Sequence, residues 1–226
     1  MQKRGTWIVI GLAAAVIAAG AVFLGYSYVA RVTAQDAAET ASSPEIGGPF
    51  TLVDHTGRTV TDRDFRGKLM LVYFGYTFCP DVCPTDLQII GDAMDILGKA
   101  GNDVQPIFVT IDPERDTVAV MADYVGNFHP RLLGLTGTEE QIAAAAKAYR
   151  VAYFKVFYPP FEDDDENAAG DTNDENGDDN ADYLMNHSAF TYLMGRDGRY
   201  LGVFPNGARP EDMAAEIRAQ LNGPSS

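Results

Sequence analysis

Two cysteines four residues apart are the most reactive side chains of this sequence. Cys79 and Cys83 are its only cysteines, which excludes the multiple disulfides of a small secreted scaffold. They lie where an apolar run gives way to a predicted helix. A helix amino terminus favours a thiolate and lowers the pKa of a thiol placed there. The pair can therefore either close one short local disulfide or hold one soft metal ion.

The spacing of the two cysteines limits the classes of thiol protein and the metal ions that the pair would suit. Three residues separate them, namely Pro80, Asp81 and Val82, whereas thioredoxins and disulfide isomerases have two. Two thiolates are an incomplete shell for zinc, which takes four ligands. Cu(I) accepts two or three soft donors, and thiolate with imidazole suits either oxidation state of copper.

A third donor would come from one of three histidines. His55 falls in a predicted polar turn and His129 precedes Pro130 at a helix exit, so we expect both to be ordinary surface residues. His187 lies just before a predicted strand, and its residue type alone fits either a structural histidine or a ligand. Methionine sulfur is a further soft donor, but we expect core packing for Met94, Met121, Met185 and Met194.

Residues 112–117 carry two acidic side chains that could be catalytic. We expect Asp112 and Asp116 instead to form a strand-to-helix turn, with Arg115 pairing locally and Asp116 or Thr117 capping the helix.

Strand and helix patterns alternate along the chain and end in a hairpin and a helix, which predicts an α/β sheet of the thioredoxin type. Buried strands are predicted at 68–76 and 105–111, with shorter ones at 132–135 and 151–158. Helices are predicted at 86–99, 117–125, 138–149 (which opens with a capping box) and 211–221 after Pro210. Hairpins are predicted around 54–58 and between 190–193 and 200–204.

The amino-terminal segment predicts a membrane anchor. Residues 5–30 carry no charge and are long enough to cross a hydrocarbon core of about 30 Å. Lys3 and Arg4 precede the segment, which predicts a cytoplasmic amino terminus and an exported domain. We therefore assign 1–30 to a single-pass anchor of a bacterial inner membrane, 31–48 to a tether and 49–222 to a periplasmic domain. The alternative is a signal peptide cleaved near Ala34.

Acidic residues are concentrated in one stretch of the chain. Residues 162–182 hold 11 acidic side chains and no basic one, and they account for most of the net charge of −15. This composition predicts a solvated, disordered insertion. The overall charge excludes a nucleic-acid partner, because phosphate backbones select for Lys and Arg.

Three stretches of the chain resemble the Sco/SenC/PrrC family of copper-binding assembly proteins. They are residues 74–84 with the sequence FGYTFCPDVCP, residues 109–117 with VTIDPERDT, and residues 183–188 with YLMNHS. The resemblance covers residues 45–222, and an anchor before the domain also matches. It implies a thioredoxin-like fold in which Cys79, Cys83 and His187 bind copper. Two departures are Asn186, where the family commonly has Asp, and the acidic insertion.

The resemblance further implies a copper chaperone that delivers copper, as Cu(I) or Cu(II), to the CuA centre of cytochrome c oxidase. Its partner would be the copper site of oxidase subunit II, with other periplasmic copper chaperones or thiol reductants as further partners. An enzyme is the less favoured class. The open alternatives are a membrane-anchored thiol-disulfide oxidoreductase with Cys79 and Cys83 as its redox pair, a peroxidase-like thiol enzyme, and a redox or copper sensor.

Overall fold

The computed structural model describes residues 46–157 and 183–223, which lie in one compact unit. The predicted anchor, nearly all of the predicted tether and the acidic insertion lie outside the described residues. Within the described ranges, no helix is both long and apolar enough to cross a membrane. The described chain begins against the domain, since the N–H of Gly47 donates to the carbonyl of Ala148 over 2.9 Å.

A mixed seven-stranded sheet forms the centre, in the order β2-β1-β5-β4-β3-β8-β9. Its strands β3, β4 and β5 run parallel, and antiparallel strands complete both edges. The described residues form the strands β1 (Thr51–Asp54), β2 (Thr59–Thr61), β3 (Leu69–Gly75), β4 (Val104–Thr110), β5 (Leu133–Thr136), β6 (Tyr153–Phe157), β7 (Tyr183–His187), β8 (Phe190–Met194) and β9 (Tyr200–Pro205).

The helices follow strands in alternation, which confirms the predicted α/β class. They are α1 (Val82–Leu97), α2 (Val118–Val125), α3 (Glu139–Tyr149) and α4 (Pro210–Asn222), and short 3-10 turns lie between β2 and β3 (Asp62–Phe65) and between α1 and β4 (Gly98–Asp103). The side chain of Thr117 caps α2, and Thr138 with Gln141 forms the predicted capping box of α3. Pro210 occupies the first turn of α4, where no N–H partner is needed.

The parallel central strands β3 and β4 place their carboxyl ends, and the loops that follow them, at one edge of the sheet. Every residue of β3 is buried, as the continuous apolar run predicted. β3 pairs in parallel with β4, so both strands end at the same edge of the sheet, at Gly75 and Thr110. Loops that leave the carboxyl ends of parallel strands are the usual place for ligands in open α/β sheets.

Two features differ from the sequence-based expectations. Helix α1 begins at Val82 and not at residue 86, because Pro84 is tolerated in the first turn. Tyr183–His187 forms a strand that the sequence pattern did not predict, and it pairs antiparallel with β6 in a separate two-stranded sheet, here called the ribbon.

The hydrogen bonds of Asp54 can be tested through the pH dependence of the protein's stability. Burial raises the pKa of this carboxyl, but hydrogen bonds from Thr56 and Arg58 outweigh burial and lower the pKa from 3.8 to about 2. A folded-state pKa below the unfolded value stabilises the protein above the unfolded pKa, and this contribution is lost as pH falls through the folded pKa. We predict that Asp54→Asn lowers the free energy of unfolding at neutral pH by about 2 kcal/mol.

Urea unfolding of the parent and the variant across the pH range checks this prediction. The two free energies should converge as pH falls from about 4 to about 2, since the parent loses its ionised carboxylate there. A constant difference over that range would contradict the assignment.

Candidate metal centre

The two cysteines lie on the loop and the first helical turn that follow β3. Cys79 belongs to the loop, whereas Cys83 is the second residue of α1, whose N-cap is Asp81. The backbone N–H of Cys83 points at the Sγ atom of Cys79 over 3.4 Å, so the helix terminus donates to the sulfur. Both cysteines are free thiols and both are buried. The start of α1 at Val82, earlier than predicted, places the two cysteine side chains next to each other.

The Cys83 sulfur packs tightly against the end of β3. A Cβ atom added at Gly75 would lie 2.8 Å from Cys83 Sγ, and 3.0 Å from ring atoms of Phe108 and Tyr73. Real Cβ atoms essentially never approach a heavy atom this closely. Glycine at this position therefore allows α1 to lie with Cys83 directly on the strand.

His187 reaches the cysteines from the end of β7. Its Nε2 atom lies 3.5 Å from Cys83 Sγ, and its Nδ1 atom lies 3.2 Å from the carbonyl oxygen of Ser188. A carbonyl only accepts, so Nδ1 carries the hydrogen and donates it. This tautomer leaves the lone pair of Nε2 directed at the thiol, as a metal-binding imidazole requires. The rings of Tyr73 and Tyr76 stand edge-on to the imidazole at 6.3 and 6.2 Å.

The pKa values of the two thiols are shifted in opposite directions. The hydrogen bond from Cys83 is the largest cause that lowers the pKa of Cys79, and together with further hydrogen bonds it outweighs burial and brings this pKa from 9.0 to about 4. The same hydrogen bond, followed by burial, raises the pKa of Cys83. At neutral pH these shifts favour a thiolate at Cys79 and a thiol at Cys83 in the metal-free site.

Asp116 holds the cysteine loop in place. This buried carboxylate accepts hydrogen bonds from the backbone N–H of Thr77 at 3.0 Å and from the hydroxyls of Thr77 and Thr110, each at 2.5 Å. It therefore ties the loop before Cys79 to the end of β4. The expected cap of α2 is Thr117, and Asp116 does not cap the helix.

Arg115 joins the cysteine loop to the ribbon. Its guanidinium pairs with Asp112, donates from Nη1 to the carbonyl of Tyr183 over 2.9 Å, and lies over the Tyr183 ring at 3.7 Å. The same group lies 4.9 Å from the ring centre of Phe78, the residue before Cys79. The Tyr183 hydroxyl in turn donates to Asp112 over 2.8 Å. The local pairing of Arg115 with Asp112 was predicted, but its contacts to Tyr183 and Phe78 were not.

The other candidate donors stay apart from the cysteines. His55 Nδ1 accepts from the N–H of Gly134, and His129 Nδ1 accepts from the N–H of Arg131, so both have structural roles. Met94, Met121, Met185 and Met194 are core residues. Asn186 is exposed, since it points to the opposite face of β7 from His187. The imidazole is thus oriented by the Ser188 carbonyl and not by residue 186.

The donor set suits a soft metal ion. Two sulfurs and one imidazole nitrogen are the ligands that copper accepts and that hard cations avoid. Cys83 contacts both of the other donors, at 3.4 Å through its N–H and at 3.5 Å through its sulfur. Within residues 46–157 and 183–223, no group of three or more His, Cys, Asp or Glu side chains already converges as a metal site.

A dithiol at a strand-to-helix loop, with an imidazole above it, defines a thioredoxin-like protein with a metal-binding or redox site. Residues 38–222 match the family described as SCO1/SenC, and the chain belongs to that family. SenC of Rhodobacter capsulatus is 42% identical over 182 residues, which are 80% of this chain and 73% of that protein. The SCO1 homolog of Homo sapiens, a mitochondrial protein, is 37% identical over 208 residues, 89% of this chain; the chain spans only 63% of its length.

A solved relative extends the comparison to three dimensions. ScoI of Bradyrhizobium japonicum, solved with copper bound, is 42% identical with a TM-score of 0.64, and the match covers 77% of this chain and 99% of that one. The thioredoxin-like fold expected for the chain is confirmed by this likeness. Three solved Sco homologues carry copper, which agrees with the donor set found here.

Gly75 provides a test of the packing that positions Cys83. We predict that Gly75→Ala lowers the free energy of unfolding by about 1–3 kcal/mol, because the new methyl group overpacks the site. It should also weaken Cu(I) binding, because Cys83 Sγ must move. The control is Gly202→Ala in β9, where an added Cβ meets no atom within 4 Å. Urea unfolding and Cu(I) competition titration measure both effects, and equal behaviour of the two variants would contradict the prediction.

Arg115 provides a test of the link between the ribbon and the cysteine loop. We predict that Arg115→Lys lowers the free energy of unfolding by about 1–3 kcal/mol, because lysine keeps the charge but loses the planar fork and the stacking. Cu(I) affinity should fall as well, since the strand carrying His187 loses its anchor.

Arg131→Lys is the matched control for that experiment. Arg131 also donates several hydrogen bonds, to Asn102 and to the carbonyl of Val104, but it contacts neither cysteine nor the ribbon. The Arg131→Lys variant should therefore be less stable than the parent but bind Cu(I) with the same affinity. If both variants lower the affinity equally, the link through Arg115 is not specific.

Proposed function

We propose that this protein is a copper chaperone that delivers copper to the CuA centre of cytochrome c oxidase during assembly. The copper ligands in this proposal are Cys79 Sγ, Cys83 Sγ and His187 Nε2. The observation that carries it is the 3.5 Å contact between His187 Nε2 and Cys83 Sγ, with the other imidazole nitrogen engaged by a backbone carbonyl. A relative at 42% identity that was solved with copper bound supports the choice of metal.

Binding begins with the thiolate that the free site already holds. Cys79, with a pKa of about 4, is ionised at neutral pH and offers a sulfur to the incoming ion. Cys83 then exchanges its proton for the metal, so that copper binding releases one proton. His187 Nε2 needs no proton loss, because its hydrogen is on Nδ1. Transfer to the oxidase proceeds by exchange of these ligands for donors of the acceptor site.

Oxidation controls the same site. Transfer of two electrons from Cys79 and Cys83 to an oxidant such as a partner's disulfide, with loss of the single thiol proton of Cys83, closes a disulfide and removes both sulfur ligands at once. Copper loading is thereby restricted to the reduced protein. A reductant that returns two electrons restores the site, so thiol reductants belong among the proposed partners.

The proposed location follows from the amino-terminal sequence. Residues 1–30 would anchor the chain in a bacterial inner membrane, and residues 31–48 would tether the domain on the periplasmic side. A donor held on the membrane surface near a membrane-bound oxidase has a high effective concentration there. The copper site of oxidase subunit II is the proposed acceptor, and other periplasmic copper chaperones are the proposed source.

The second candidate function is a thiol-disulfide oxidoreductase that reduces the cysteines of the oxidase copper site. It is favoured by one observation, namely two free thiols in contact at a strand-to-helix loop, which is the arrangement of dithiol redox pairs. In that function Cys79 and Cys83 would be the redox pair, and His187 would be a structural residue.

The deciding experiment is an anaerobic titration of reduced residues 45–226 with Cu(I) against a competing chelator. We predict one tightly bound equivalent, and a loss of affinity of more than about 100-fold in Cys79→Ser and Cys83→Ser, because removing a ligand costs more than removing a group behind it. His187→Ala should weaken binding by at least about tenfold.

His129→Ala is the matched control, since this histidine lies outside the site and should leave the affinity unchanged. If His187→Ala binds Cu(I) as tightly as the parent, the three-ligand site is wrong. Absence of tight binding by the parent, together with rapid exchange on a model disulfide, would favour the oxidoreductase.

A further inference from the structure

Tyr73 carries an unpaired hydroxyl inside the protein. The residue lies on β3, its side chain is fully buried, and its Oη atom makes no hydrogen bond with any described residue. Buried polar groups are nearly always paired, and an unpaired one destabilises the fold that contains it. The hydroxyl therefore calls for an explanation in terms of function or of another state of the protein.

The surroundings of Tyr73 are those of the proposed copper site. Its ring stands edge-on to the His187 imidazole, with 6.3 Å between the ring centres. Tyr73 Cε1 and Cys83 Sγ lie within 3.0 and 2.8 Å of one point, the Cβ position of a side chain at Gly75. A tyrosine hydroxyl has an ordinary pKa of about 10, so at neutral pH it keeps its hydrogen and can donate it.

The state of Cys83 explains why the hydroxyl is unpaired in the free protein. Cys83 is a free thiol in this structure, and the sulfur of a thiol is only a weak hydrogen-bond acceptor. A metal-bound thiolate sulfur is different, because it carries negative charge and accepts stronger, charge-assisted hydrogen bonds. The acceptor that Tyr73 lacks in the free protein is thus created when Cys83 becomes a ligand.

We propose that Tyr73 Oη is a hydrogen-bond donor reserved for Cys83 Sγ in the copper-loaded protein. Tyr73 is then a positioning residue that is unsatisfied in the free form and satisfied in the loaded form, so it shifts the balance between them toward loading. This inference rests on the proposed function, since it requires that Cys83 bind copper.

Substitution by phenylalanine removes only the oxygen atom and tests the proposal in the full chain, purified in detergent micelles. We expect Tyr73→Phe to weaken Cu(I) binding about tenfold, which corresponds to about 1.4 kcal/mol. The melting temperature of the copper-free protein should be equal to or above that of the parent, because an unpaired polar group is gone. A residue with a merely structural role would not move these two quantities in opposite directions.

Tyr124→Phe is the matched control. Its hydroxyl is also buried and unpaired among the described residues, and its ring belongs to the same stack, since Phe108 lies between Tyr73 at 6.3 Å and Tyr124 at 5.6 Å. The same atom is removed, but we expect no change in Cu(I) affinity.

Three results would overturn the proposal: Tyr73→Phe binds Cu(I) as tightly as the parent, both variants lose affinity equally, or the copper-free Tyr73→Phe protein melts below the parent. The parent is measured first. If it binds no Cu(I), the proposed function fails and this inference fails with it, whereas normal binding by the parent and by Tyr73→Phe overturns the inference alone.

Discussion

The position of the Cys83 sulfur against the end of β3 is the constraint on which the site depends. Gly75 leaves room for the sulfur, and the first turn of α1 places it there. From this position Cys83 contacts Cys79 through its backbone N–H and His187 through its sulfur. Since cores are close-packed, such a contact admits little adjustment of strand or helix. The rigid part of the site is thus the sheet and α1, and the other two donors are brought to it.

His187 is brought to that rigid part by a different kind of interaction. The ribbon is not hydrogen-bonded into the main sheet, so side-chain contacts must fix it. Arg115 supplies several of them at once, because one planar guanidinium pairs with Asp112, donates to the Tyr183 carbonyl and stacks on the Tyr183 ring. It also lies over Phe78, next to Cys79. The position of the ribbon and that of the cysteine loop are therefore coupled through the contacts of one partly buried arginine.

The sequence predicted what local pattern and chemistry determine. The buried run of β3, the capping box at Thr138 and the start of α4 at Pro210 follow from periodicity and cap chemistry, and the structure confirms them. The strand β7 escaped prediction because its residues alternate weakly and its partner strand is distant in sequence. The contacts of Arg115 with Tyr183 and of Asp116 with Thr77 join residues 68 and 39 positions apart. No local pattern encodes such pairs, since folding topology alone makes them neighbours.

The unequal thiols also bear on the choice between chaperone and reductase. A thiol with a pKa near the ambient pH is the best attacking group for a disulfide, because nucleophilicity falls as the pKa falls. Cys79, at about 4, is fully ionised but intrinsically a weak nucleophile. The same interactions that lower its pKa stabilise the reduced pair relative to the disulfide, which makes the pair a poor donor of electrons. A stable dithiolate-forming site that resists oxidation is a disadvantage for a reductase. For the proposed copper chaperone, which must keep two sulfurs available to the metal, it is the property required.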